Sequence, residues 1–239
     1  MKSMKIYIKR ITGKMIPFEY NYFLGIAFLR KLIYFQEKNL RLHSSSQIGI
    51  YTFSNIISPY HKKLGQPADN GLDIESGYIF FRTLNESLSN YLRLGILEDP
   101  TIKIKDTTYQ VSRIEDIKPP SIEKQELKFK TLSPVLVRDY SKKNFYVNKE
   151  VNVPVNLKAI MENQLTKFFS IHQPTLNFSN LNLKRKTIRI SSNGKKESIT
   201  TGFNLTGVIS GTPEILKILY YKGLGSKTSL GLGCWEVVE

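Results

Sequence analysis

The period of apolar and polar positions changes several times along the chain. Residues 4–11 alternate between charged and apolar side chains, the pattern of a strand with one buried face. Pro17 stands where a helix can open, and Tyr22, Ile26, Leu29 and Ile33 recur at helical spacing, which predicts a helix to about residue 38. A polar turn at 41–46 leads into a β-rich run at 50–53, and residues 59–76 are loop-like, with Pro59, Gly65, Pro67, Asn70 and Gly71. Residues 77–82 read as a strand, 84–94 as a helix closed by Gly95, and 101–111 as one or two strands. The order is β-α-β-β-α-β.

Pro119-Pro120 marks the clearest boundary, and beyond it the order repeats. The pattern gives a strand at 126–137, a helix at 157–169 and a strand at 184–190. Asn193-Gly194 then signals a hairpin into a long strand ending near 208. Thr212 as N-cap, Pro213 at the first helical position and Glu214 in the first turn open a helix that Gly223 ends. Residues 234–238 form the last strand. The expected fold is α+β: two tandem ferredoxin-like domains of the same class as the RNA-recognition sheet, one over 1–118 and one over 121–239. Neither half carries the aromatic signature of RNA-recognition sheets, so stacking of bases on a sheet face is not predicted.

Composition narrows the partner. The 239 residues carry a formal net charge of +15, with 17 Lys/Arg against 11 Asp/Glu over 1–119 and 18 against 9 over 120–239. A basic excess spread through folded segments points to a polyanion. The longest apolar stretch, 20–29, is half the ~20 residues of a membrane span, and no basic amphipathic helix suggests a membrane surface. The start of the chain lacks the apolar block of a signal peptide. A single cysteine, Cys234, excludes an internal disulfide and fits a reducing cytoplasm. Three scattered histidines and that cysteine give no zinc spacing, so neither metal nor cofactor is expected. The pairs Glu98-Asp99 and Glu115-Asp116 read as solvated edges, and no nucleophile elbow is present.

Residues 223–233, Gly-Leu-Gly-Ser-Lys-Thr-Ser-Leu-Gly-Leu-Gly, bracket one cation and three hydroxyls with two Gly-x-Gly pairs. Backbone N–H groups beside a lysine suit an anion. The segment lacks the Gly-Lys-Thr order of a phosphate-binding P-loop. It also follows a helix, which excludes the dinucleotide fingerprint. The pattern Gly-φ-Gly-x5-Gly-φ-Gly just before the last strand resembles the C-terminal loop of the repeat-associated RNA-processing superfamily, most closely the CRISPR repeat endoribonucleases (the Cas-six family). All four glycines match: Gly223, Gly225, Gly231 and Gly233.

The resemblance implies an endoribonuclease that binds the repeat of a CRISPR precursor transcript and cuts once per repeat. It implies metal-independent attack by the 2′-hydroxyl, leaving a 2′,3′-cyclic phosphate and a 5′-hydroxyl. The alternative is a non-cleaving RNA-binding subunit of a CRISPR effector complex. The protein itself is expected as a monomer or homodimer. RNA carries its own nucleophile, so the protein must align the reacting atoms, move two protons and stabilise added negative charge. His43, after the first helix and before Tyr51-Thr52-Phe53-Ser54, resembles the family's catalytic histidine, with Tyr20 or Tyr22 as the helical tyrosine. No lysine lies between His43 and Pro59, where some family members have one. Ser44–46 could bind a phosphate, His61 beside Lys62-Lys63 is a reserve, and His172 is structural or solvent-exposed. RNA contacts are expected at Gly223, Gly225, Ser226, Lys227, Thr228, Gly231 and Gly233, and at the hairpin lysines Lys195 and Lys196. Lys184-Arg185-Lys186 is a further basic cluster.

Overall fold

The computed structural model describes residues 1–34, 49–58, 71–142, 146–192 and 195–238; the side chains of residues 34, 190–192 and 195–198 lie outside that description. His43, His61, Ser44–46 and the Asn193-Gly194 turn fall outside the described residues.

In β1 (Lys2–Thr12), Met4, Ile6 and Ile8 point inward, and the strand sits centrally in a five-stranded antiparallel sheet. Helix α1 (Asn21–Tyr34) buries Leu24, Phe28 and Leu32 against it, then β2 (Tyr51–Phe53) and β3 (Ser76–Thr83) follow. Helix α2 (Glu86–Glu98) contributes Leu88 and Leu92, and β4 (Thr101–Ile104) pairs with β5 (Thr107–Asp116). The strand order is β2-β3-β1-β5-β4, the ferredoxin-like order with β4 added at one edge. The second sheet is built from β6 (Glu126–Thr131), β7 (Leu176–Ser192), β8 (Lys195–Gly211) and β9 (Trp235–Val238), in the order β7-β8-β6-β9. Its helices are α3 (Val153–Phe169) and α4 (Pro213–Lys222), and its core joins Phe129, Met161, Leu165, Phe203, Leu219 and Trp235.

Several sequence expectations shift: the strand expected at 184–190 spans Leu176–Ser192, and the helix expected from 157 begins at Val153. Helix α1 begins at Asn21, four residues after Pro17, because Tyr20 is buried as an anchor below the turn and its carbonyl accepts the first helical bond, from Leu24 N–H. Helix α2 runs through Gly95 to Glu98, because this glycine answers a helix crossing: a side chain there would overlap the Lys31 carbonyl of α1. The strand expected to reach residue 137 ends at Thr131. Beyond it, Val135 and Leu136 make isolated bridges to Phe203 and Ser226. Elsewhere α4 begins as predicted, with the Thr212 hydroxyl accepting from Ile215 N–H at 3.3 Å.

The two sheets meet through specific polar contacts. Arg82, on β3 and 2 % exposed, donates to the Trp235 carbonyl and lies over the Tyr220 ring at 3.9 Å. Asn55 N–H donates to Leu132 O at 3.0 Å, and Ser133 Oγ donates to Phe53 O at 3.2 Å. These bonds fix the edge of the first sheet against the start of the second and position the glycine-rich segment between them.

Candidate nucleic-acid interface

The four glycines of 223–233 all have positive φ, from 72° to 84°. At Gly231 a side chain would enter the Phe53 ring, and at Gly233 it would overlap the Leu224 carbonyl, so glycine is required there both by dihedral and by space. The loop is closed by its own backbone: Leu224 N–H donates to Gly233 O at 2.8 Å, Gly233 N–H to Pro134 O at 2.8 Å, and Ser226 N–H to Leu136 O at 2.8 Å. All four glycines are buried, as is Thr228, while Ser226 is half-buried. Within this segment only Lys227 is exposed, at a left-handed φ of 54°. The glycines therefore shape the loop from inside, and the lysine is what it presents.

Lys227 has a second cation beside it. Partial burial lowers its pKa first, and the charge of exposed Arg138 lowers it further. No described carboxylate pairs with either residue, so an anion placed between them would relieve their repulsion. Arg138 was not singled out from the sequence. It follows the apolar run Val135–Val137, and only the bridge of Leu136 to Ser226 shows that this run passes beneath the loop.

Leu232 of the loop also lines a cleft of about 700 Å³. Its walls include Phe18, Asn21, Asn55 and Leu232 on one side, with Arg185, Lys186 and Arg189 of edge strand β7 on the other. Asn21 Nδ2 donates to Asn55 Oδ1 at 2.8 Å and to Gly231 O at 3.0 Å, tying α1 to the glycine loop. Arg185 donates to Glu150 at 2.9 Å, whereas Lys184 and Lys186 are exposed. The sequence flagged the cluster; its arrival opposite α1 required the fold.

Tyr20 is 3 % exposed, and its hydroxyl accepts from Ile56 N–H at 2.7 Å. Burial raises its pKa far above the ordinary tyrosine range, against the opposing effect of that bond. Gly49, six residues after His43, is packed so closely on Thr228 and Ser229 that a side chain would meet the Thr228 hydroxyl. Tyr51 is fully buried, and burial likewise raises its pKa. His172 is exposed after α3. Lys195 and Lys196 open β8, where Lys195 pairs with Ser192 through backbone. Among the described residues no group of three His, Cys, Asp or Glu is placed to hold a metal, and no described helix is long and apolar enough to cross a membrane.

Two antiparallel ferredoxin-like sheets in tandem, with a glycine loop closed against a basic cleft, define the structural class. Residues 15–115 match the N-terminal profile of CRISPR-associated protein Cas6, and residues 117–237 match its C-terminal profile. The chain belongs to the Cas6 family. It is 27% identical over 248 aligned residues to the CRISPR-associated endoribonuclease-like proteins Cas6nc of Pyrococcus horikoshii and Cas6 of Pyrococcus furiosus, covering 99% of this chain and 100% and 99% of those relatives. Among solved structures, a RAMP protein described as binding different RNA substrates superposes with a TM-score of 0.84 at 23% identity, covering all of both chains. The product of a Cas6-related gene from Pyrococcus furiosus superposes with a TM-score of 0.83 at 24% identity, covering all of this chain and 98% of the other.

Proposed function

We propose that this chain binds the repeat RNA of precursor CRISPR transcripts and cuts it once per repeat to release guide RNAs. The supporting observation is the cation Lys227, unpaired among the described residues and with the charge of Arg138 felt beside it, on a glycine loop that packs against both α1 and the residues leading into β2. His43 lies on the intervening stretch of sequence. In this reading Lys227 and Arg138 hold the phosphate, with the half-buried Ser226 hydroxyl nearby, while buried Thr228, expected from the sequence as an RNA contact, packs beneath Gly49 and with Gly223, Gly225, Gly231 and Gly233 sets the loop's shape. Lys186 on β7 extends the basic track along the cleft, and the hairpin lysines Lys195 and Lys196 are the further RNA contacts of this proposal.

RNA brings its own nucleophile, so no metal is needed to generate one, and the family resemblance implies a metal-independent step. The 2′-oxygen loses its proton and bonds to phosphorus, the bond to the 5′-oxygen breaks, and that oxygen gains a proton. The products are a 2′,3′-cyclic phosphate and a 5′-hydroxyl. His43, with an unperturbed pKa of about 6.5, carries one of these protons. Tyr20, whose hydroxyl is engaged by the Ile56 amide, acts by holding residues 55–58 in place. The protein works in the cytoplasm, as a monomer or homodimer.

A second reading, a non-cleaving RNA-binding subunit of a CRISPR effector complex, draws support from the absence of any lysine between His43 and Pro59. The two separate on His43→Ala. In the enzyme reading this variant loses cutting of a labelled repeat and keeps its affinity. If the variant cuts at the wild-type rate, His43 is not the proton carrier; if neither protein cuts but both bind the repeat, the subunit reading holds.

A further inference from the structure

On the face of the first sheet opposite its helices, the two central strands bring together aromatic rings and cations that lie far apart in sequence. Tyr7 of β1 pairs directly with Tyr78 of β3, and Lys5 pairs with Phe80. The Tyr7 and Tyr78 centroids are 5.9 Å apart, and those of Tyr78 and Phe80 are 5.4 Å apart. Lys5 Nζ lies 3.9 Å from the Tyr78 centroid, and the Arg113 guanidinium lies 4.2 Å from that of Tyr7. Lys9 and Arg113 are exposed, and Tyr7, Tyr78 and Phe80 are half-buried, so the rings remain accessible at one face. The one carboxylate among them, Glu115, accepts from the Tyr7 hydroxyl at 2.7 Å and pairs with Arg113 at 3.1 Å, which fixes the ring.

Three adjoining rings under a cationic cover do not stabilise the core, which lies on the other face with Ile6, Ile8, Ile79 and Phe81. They match what an unpaired nucleic-acid strand offers: flat bases for the rings and phosphates for the cations. We infer that this sheet face is a second RNA site, a platform on which unpaired bases stack on Tyr7 and Tyr78 while Lys5, Lys9 and Arg113 meet the backbone. A base displaces Lys5 or Arg113 from its ring, and the released cation turns to phosphate. A protein partner is less well suited, because cations lie over the rings and the patch's apolar area is confined to them. The inference rests on the RNA-binding reading above but concerns a different surface from the glycine loop. The sequence alone predicts no base stacking because no contiguous signature is present; Tyr7 and Tyr78 adjoin only through the pairing of β1 with β3.

The test measures binding of a fluorescent 12-nucleotide oligoadenylate, of an abasic oligomer of the same length and of the labelled CRISPR repeat, to the full chain and three variants. Tyr7→Leu/Tyr78→Leu keeps apolar bulk, Tyr78→Phe keeps the ring, and Lys227→Ala reports on the glycine loop. The platform predicts that the leucine pair binds oligoadenylate about 10- to 100-fold more weakly, that Tyr78→Phe binds as wild type, and that the abasic oligomer does not distinguish wild type from the leucine pair. Equal oligoadenylate affinity for the leucine pair and the wild type overturns the inference and leaves the face to a protein partner. Loss of affinity in the leucine pair with equal loss for the abasic oligomer also overturns it, as damage to the fold. If the repeat binds in a Lys227-dependent manner while oligoadenylate does not bind, the platform fails and the proposed function stands. If no RNA binds the wild type, both fail together.

Discussion

Lys222 ends α4 with no exposed surface, and its Nζ donates to Gln164 Oε1 at 2.7 Å and to Gly223 O at 3.2 Å. Gln164 in turn donates to Gly225 O at 3.4 Å, so one buried lysine and one amide hold the entry to the glycine loop. Burial drags the Lys222 pKa down to about 7. Because the folded state releases this proton more easily than the unfolded state, where lysine titrates near 10.4, the unfolded chain binds more protons between those values. Stability from this group therefore rises with pH from about 7 to about 10 and is flat below 7. Measured against Lys222→Met by chemical denaturation, the wild type gains about 1 kcal/mol per pH unit across that window. A difference that stays constant from pH 6 to 10 refutes the assignment. Gly231→Ala is a second residue-scale test: it adds a methyl group at φ 74° against the Phe53 ring and costs about 1–3 kcal/mol, read from the denaturation midpoint.

At the scale of elements, α1 and α2 cross where Gly95 faces the Lys31 carbonyl, and Lys31 at 6 % exposure pairs with Asp99 just beyond α2. Burial works to raise the Asp99 pKa, but bonds from Lys31 and Thr101 outweigh it and hold the carboxyl at about 2. Alanine at an exposed helical glycine normally stabilises by up to about 1 kcal/mol; here Gly95→Ala is expected to destabilise, because the new methyl group pushes the helices apart. A higher melting temperature for Gly95→Ala would show that the crossing tolerates a side chain. The same glycine shows where sequence reading stops. Alternation and capping residues exposed β1, β3, α4 and the order of elements, since these depend on neighbours in the chain. Gly95 read as a helix end because its partner, Lys31, is 64 residues away. In the same way the glycine brackets, the Lys184-Arg185-Lys186 cluster and Lys227 were legible as motifs. Arg138, the Asn21–Asn55 link and the Tyr7–Tyr78 pair became visible only once strands and loops from distant segments were side by side.

At the scale of the whole molecule, a net charge of +15 supplies non-specific attraction to any polyanion, to which the proposed function adds the geometry of the loop and cleft. Removing one phosphate contact flattens the salt dependence of binding by close to one unit of slope on logarithmic axes, so Lys227→Ala is expected to weaken repeat binding and lower the slope by about 1. An unchanged slope would place Lys227 away from the phosphates. Arg82 ties the two sheets together through the Trp235 carbonyl and the Tyr220 ring, which holds α4 and β9 against β3. The measurement that bears most directly on the proposed function is incubation of end-labelled CRISPR repeat RNA with the wild-type protein in EDTA, followed by analysis of the product ends. Attack by the 2′-hydroxyl gives a single cut leaving a 2′,3′-cyclic phosphate and a 5′-hydroxyl; an intact repeat across pH 6 to 9, or a cut leaving a 3′-hydroxyl, would contradict the proposed function.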